Sequence, residues 1–216
     1  MSEARTVILD RIARALRTAR IPDARSPERL ALQRNDPEGA RAFQASESLG
    51  DRFILEARAV GVELFVDWSA DAARERLSKL VAGKRVLSWN PDKLPYRCGA
   101  VLTGAVLGSA SVAEQARADI GVTGCHGAIA ETGSLALISG PGCSRTVSLL
   151  PPMHVALVRR ADLVATMGDF FTTHADAMAR AANCTFVTGP SRTADIELSL
   201  TIGVHGPGKV AVILGP

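Results

Sequence analysis

Residues 120–150 place the tightest constraint on what this chain can fold into. Two short apolar runs, Ala128-Ile129-Ala130 and Leu135-Ala136-Leu137-Ile138, flank one carboxylate, Glu131, and glycines punctuate the whole stretch. A carboxylate between two runs that read as buried strands is costly unless it is solvated, hydrogen-bonded or used chemically. The pair of runs predicts an antiparallel hairpin set into a larger sheet.

The surrounding chain supplies that sheet. Apolar spacing predicts a helix over 5–20, followed by a charged, proline-bearing linker over 21–39. A second helical region runs over 40–60, and a strand over 62–66. Ser69 and Asp71 are placed to cap a helix over 72–81 that Gly83 closes. Strands are expected over 85–89, 153–158, 162–164, 185–188 and 210–214, with helices over 112–118, behind Ser111, and 169–182. Strands alternating with helices predict an α/β domain with a mostly parallel sheet. The expected division is a helical arm and linker over 1–60 and a core domain over 61–216.

Composition narrows the function. Among 216 residues, 47% are hydrophobic and 22% charged, enough apolar material for a sizeable core. A net charge of +3 with scattered basic residues and 4% aromatics offers nucleic acid neither a basic stripe nor a stacking platform. No apolar run approaches the roughly 18 residues that span a membrane, and no apolar stretch follows Met1-Ser2-Glu3-Ala4-Arg5 as in a secretory signal, so a cytoplasmic location is expected. Cys98, Cys125, Cys143 and Cys184 form no Cys-x-x-Cys pair and are read as free thiols rather than metal ligands. Beside His126, Cys125 alone has a second reading as an activated thiolate.

Three Gly-rich loops adjoin strands, and loops at the carboxyl ends of parallel strands are where α/β sheets bind ligands. They are Thr123-Gly124-Cys125-His126-Gly127, Thr188-Gly189-Pro190-Ser191-Arg192-Thr193-Ala194-Asp195, and Gly203-Val204-His205-Gly206-Pro207-Gly208. With all strands parallel, the three are expected to converge on one edge. In the second loop the Ser191 and Thr193 hydroxyls and the Arg192 guanidinium suit a small anion, or else form a capped turn with a solvated arginine, with Asp195 nearby to pair with Arg192. His126 and His205 are candidate ligand contacts, and His154, opening a strand, is read as structural. Glu131 has two readings. It is a nucleophile or general base, or it accepts the backbone amides of Thr132 and Gly133 or pairs with Arg145. The candidate site is therefore Glu131 with Gly124, His126, Thr132, Gly133, Gly189, Ser191, Arg192, Thr193, Asp195 and His205, and no metal.

The Ala130-Glu131-Thr132-Gly133-Ser134 core, the Ser148-Leu149-Leu150-Pro151-Pro152-Met153-His154 run and the Thr188–Glu197 string together resemble the lactate-utilisation (LUD) domain family. The likeness is specific over about residues 119–216, and departs from the family's common pattern at Cys125-His126 and at Ser134. The resemblance implies a three-layer α/β/α sandwich of the kind shared by ribose-phosphate isomerases, sugar-phosphate deaminases and coenzyme A transferases. It also implies a part in oxidising L-lactate to pyruvate with iron–sulfur partner proteins, and no iron–sulfur cluster on this chain. Two alternatives stay open: a stand-alone enzyme on a phosphorylated or coenzyme-A-linked small molecule using Glu131, and a non-catalytic ligand-binding subunit.

Overall fold

The computed structural model describes residues 7–11, 13–14, 47–193 and 201–216. The chain divides into two compact units, residues 1–40 and 41–216. In the first, residues 7–11 and 13–14 are helical; the stretch 21–39 lies outside the described residues.

The second unit opens with helix α1 (Leu49–Ala59), whose first turn is closed by the Ser48 hydroxyl accepting the Asp51 amide. Although α1 precedes the expected start of the core domain at residue 61, it buries Phe53 and Ala57 in that core. Strand β1 (Glu63–Val66) leads to α2 (Ala70–Val81), capped by Ser69 as its sequence predicts. Next come β2 (Val86–Ser88), two 3₁₀ turns (Pro91–Lys93 and Pro95–Ala100), β3 (Val106–Leu107) and the short helix α3 (Val112–Gln115). In α3 the Ser111 and Glu114 side chains cap each other's amides. Strand β4 (Ile120–Thr123) precedes the hairpin β5 (Gly127–Ile129) and β6 (Ser134–Ile138), and β7 (Met153–Arg159) and β8 (Leu163–Val164) follow it.

The helix expected over 169–182 is two pieces, α4 (Met167–Thr173) and α5 (Ala175–Arg180), broken at His174. There the imidazole stacks on Phe170 at 4.6 Å, behind the β-branched pair Thr172-Thr173. Strands β9 (Cys184–Val187), β10 (Arg192–Thr193), β11 (Thr201–Ile202) and β12 (Lys209–Gly215) complete the unit.

Six strands form one parallel sheet in the order β1-β12-β7-β4-β2-β3. Its central strands are buried on both faces, which explains their continuous apolar sequences. Alternation along them sorts two cores: Val155, Leu157, Ala211 and Ile213 pack toward α2 residues such as Leu77, while Ala156, Val158, Val212 and Leu214 pack toward Phe53 and Ala57 of α1. The fold is thus α/β, with a mostly parallel central sheet and flanking helices.

The hairpin is antiparallel as predicted, but it is not inserted in that sheet. It belongs to a second sheet, β8-β5-β6-β9, whose far side packs Ile129, Ala136 and Ile138 against Phe170 of α4. The apolar runs show why: Ala128 and Leu135 face the first sheet's core while Ile129 and Ala136 face another. One hairpin bridges two hydrophobic clusters, so neither face is left for solvent.

Candidate functional site

The parallel sheet has two ends, and the sequence-predicted loops divide between them. The register pairs Ile120 with Met153 and Met153 with Lys209, so these residues mark the amino edge. Loop 203–208 enters β12 at that edge, whereas loop 123–127 leaves β4 at the carboxyl edge. The expected convergence of three loops is therefore corrected: a parallel sheet separates a loop that precedes a strand from one that follows a strand.

The second loop joins the amino-edge group. The Ser191 amide donates to the Pro207 carbonyl, and the Gly203 amide to the Ser191 carbonyl. Arg192 and Thr193 are a strand, β10, paired antiparallel with β11, rather than an open anion loop. The exposed Arg192 guanidinium donates to the Val60 carbonyl at the end of α1, where a cation meets the negative end of the helix. Gly189 lies against the same Val60 carbonyl, 2.4 Å from where a Cβ would stand. His205 is exposed, and Asp195 lies outside the described residues.

Glu131 is half-buried at the hairpin turn. Its Oε1 accepts the Met167 amide at 2.8 Å, the first amide of α4, and its own amide donates to the Ala165 carbonyl. The carboxylate thus ties the hairpin turn to a helix start, with a partner other than Thr132, Gly133 or Arg145. Beside it the Thr132, Ser134 and Thr188 hydroxyls form a chain with links of 2.7 Å. Gly133 has φ +66° and comes so close to α1 that an added Cβ would stand 2.3 Å from the Ala57 nitrogen. The turn's conformation and its seat on the helix both require glycine there.

The carboxyl edge holds the open chemistry. After β2 the chain turns to its neighbour β3 on one side, and after β4 it proceeds to β7 on the other. Loops that diverge in this way leave a crevice between their strands. The loop after β2 brings Trp89, Asn90 and Lys93; the loop after β4 brings Gly124 and His126. Trp89 binds the two sides together, its ring centred 5.6 Å from that of His126 and its Nε1–H donating to the Ser144 carbonyl at 3.0 Å. Gly124 is buried against the Lys93 carbonyl and Pro95. Over the neighbouring strands, the Tyr96 hydroxyl spans the Val158 carbonyl and the Gly215 amide, closing the ends of β7 and β12. Tyr96 and Arg97 hold left-handed backbones to do this, at φ 65° and 53°.

A cavity of about 470 Å³ remains, with Lys93, His126, Ser139, Cys143 and Arg180 in its wall. The His126 Nδ1 accepts the Ile138 amide at 3.1 Å, which leaves Nε2–H as the ring's donor. Burial, and then the charge of His174, hold the His126 pKa below its ordinary value, against a smaller opposing pull from Asp162. Ser139 donates its hydroxyl to the Asn183 carbonyl. Among the described residues, Lys93 and Arg180 meet no carboxylate and none lines the cavity. Burial pushes the Cys125 thiol far up, with the charge of Asp162 adding to the effect, so the thiolate reading fails. Among the described residues no group of three or more His, Cys, Asp or Glu is placed to hold a metal ion.

Lys93, Arg180, Trp89 and Cys143 are the site residues that loop composition missed. Lys93 was within reach, since it follows a strand at the position where the connections diverge. Arg180 comes from α5, more than fifty residues beyond His126 in the chain, and only the second sheet's packing brings it there.

Comparison with known proteins agrees with this architecture. The LUD domain matches residues 112–214. Lactate utilization protein C of Bacillus subtilis (strain 168) is 31% identical over 161 residues, 67% of this chain and 67% of its own length. The chain belongs to the LUD domain family. A second LUD relative, Lactate utilization protein C of Exiguobacterium sp. (strain ATCC BAA-1283 / AT1b), is 40% identical over 102 residues, and this match spans 45% of this chain and 44% of the relative. A crystal structure from Deinococcus radiodurans, titled a DUF162 family protein, shares the fold with a TM-score of 0.62 at 24% identity, covering 78% of this chain and 96% of its own.

Proposed function

We propose that this LUD protein is a component of a lactate-utilisation system, of the Lactate utilization protein C type, and that its carboxyl-edge cavity binds a small carboxylate such as L-lactate or pyruvate. One observation carries the reading: the Lys93 ammonium, the Arg180 guanidinium and the His126 Nε2–H are all donors, and among the described residues no carboxylate stands in the wall to oppose them. A carboxylate paired with two cations and a neutral imidazole donor is held by charge-assisted hydrogen bonds in a partly desolvated site. The relatives' names support the pathway. In that pathway the two electrons that leave L-lactate when it becomes pyruvate pass to iron–sulfur partner proteins, the two protons pass to solvent, and this chain binds and orients. Glu131 acts in this reading as the bond between the hairpin and α4.

The test is calorimetric titration of the purified chain with L-lactate and with pyruvate. Lys93→Ala and Arg180→Ala should each weaken binding by about tenfold or more, the worth of a charge-assisted hydrogen bond. Glu131→Ala should leave affinity unchanged while costing about 1 kcal/mol of stability, as lost helix caps do. Wild-type affinity in both cation variants would sink the site assignment. A tagged chain isolated from its native cells without proteins bearing iron and acid-labile sulfide would sink the assembly.

A further inference from the structure

The Lys93–Arg180 cavity shares part of its wall with a neighbouring cavity. Ser139, Gly140, Pro141 and Cys143 also line a second cavity of about 540 Å³, which lies by the ends of β2 and β3. The partition is one tight turn. Gly140 and Cys143 exchange backbone hydrogen bonds at 3.2 and 2.9 Å, and Gly142 stands at φ +77° after Pro141. Proline followed by a left-handed glycine is a type II turn.

This turn is fixed from several sides. Asn90 donates its amide to the Gly142 carbonyl, and Trp89 donates to the Ser144 carbonyl. Thr146 donates to the Gln115 Oε1, which commits the Ser144 hydroxyl to donating to Thr146. Gly108 lies so close beneath that a Cβ there would meet the Ser144 Cβ at 2.5 Å.

The second cavity repeats the polarity of the first. Asn90 accepts the Asp92 amide at Oδ1, so its Nδ2 is the group left to donate. Ser109 adds a hydroxyl and Arg145 a guanidinium, and among the described residues no carboxylate meets that guanidinium or lines the wall. A three-carbon acid is far smaller than either space, and ligand pockets of 300–1,000 Å³ commonly hold much larger molecules.

We propose that the cavity of Asn90, Ser109 and Arg145 is a second anion subsite, and that this LUD protein, besides a small carboxylate held at Lys93 and Arg180, also takes an elongated acid that straddles the Pro141–Gly142 turn, its carboxylate at Lys93 and Arg180 and a phosphate ester at Arg145. A guanidinium fork with an amide and a hydroxyl suits the several oxygens of a phosphate. The proposal rests on the carboxylate reading of the first cavity, and it is testable apart from it.

The experiment titrates the full chain with four probes: inorganic phosphate, L-lactate, 3-phosphoglycerate, and the longer 6-phosphogluconate. At least one phosphorylated acid should bind about tenfold or more tightly than lactate or phosphate alone, because the second contact is made within one molecule. Arg145→Ala should return that ligand to the affinity of lactate and leave lactate itself unchanged. Lys93→Ala should return it to the affinity of phosphate. Arg145 and Lys93 sit in the walls of open cavities, and unchanged thermal midpoints confirm that the variants fold. Phosphate binding that is unaffected by Arg145→Ala overturns the subsite. So does phosphate that competes with lactate and is lost in Lys93→Ala, since both anions then share one cavity. If lactate binding ignores Lys93 and Arg180 while phosphate binding needs Arg145, the carboxylate reading fails and the second subsite stands.

Discussion

At the scale of single residues, the chain separates groups that hold the fold from groups left free to bind. His154 is of the first kind. It is fully buried, its Nε2 lies 2.8 Å from the Thr123 hydroxyl, and its Nδ1 meets no hydrogen-bond partner among the described residues. Burial holds its pKa down at about 4. The folded state therefore resists a proton that the unfolded chain accepts near pH 6.5, so stability from this group is complete above pH 6.5 and falls as pH drops toward 4. The loss is about 3 kcal/mol across that window. Urea unfolding from pH 7 to 4 should show it, and His154→Gln should flatten the slope. An equally steep slope in the variant would assign the effect elsewhere. The sequence identified His154 as structural because it opens an apolar strand. It offered no such hint for Glu131, whose partner, the Met167 amide, lies thirty-six residues away in the chain.

At the scale of elements, local chemistry was legible wherever the partners are close in sequence. Ser69 and Ser111 cap the helices that follow them, and the two apolar runs flanking Glu131 gave a true hairpin. It failed where tertiary packing decides. The helix over 169–182 breaks because His174 leaves the helical path to stack on Phe170, and β3 is two residues long and, among the described residues, held by β2 alone. The glycines misled in an instructive way. Gly133 and Gly189 resemble ligand-cradling residues, yet both serve to seat loops on α1. Gly133→Ala should therefore cost more than 2 kcal/mol, from a left-handed backbone combined with a clash against the Ala57 nitrogen. Gly104→Ala is the control: φ is +83°, but nothing lies within 4 Å of an added Cβ, and the cost should be near 1 kcal/mol. Equal thermal midpoints for the two variants would refute the packing role of Gly133.

At the scale of the whole molecule, the two ends of the parallel sheet carry different duties. The fold class followed from the strand–helix order, but the assignment of loops to an edge depends on strand direction and register, which no local pattern encodes. Arg192 and His205 stand with the amino-edge loops, and Lys93, His126 and Arg180 with the carboxyl edge. Arg192→Ala and His205→Ala should thus leave the dissociation constants for L-lactate and pyruvate unchanged. A loss of tenfold or more in either variant would mean that the amino edge shapes the binding site.

The sheet order also sets a schedule for synthesis. Among the described residues strand β1 pairs with β12 alone, and β12 lies between β1 and β7, so residues near 63 find their described strand neighbours among residues near 211. On the ribosome β1 emerges about 150 residues before that partner, at a translation rate that makes the wait several seconds or longer. Throughout it, Leu64 and Phe65 stand on an unpaired strand edge, open to pairing with other nascent chains. The gap beside β7 closes in a single late step, so chaperone dependence and misassembly during expression should concentrate on the two strands flanking β12 rather than on the binding cavities.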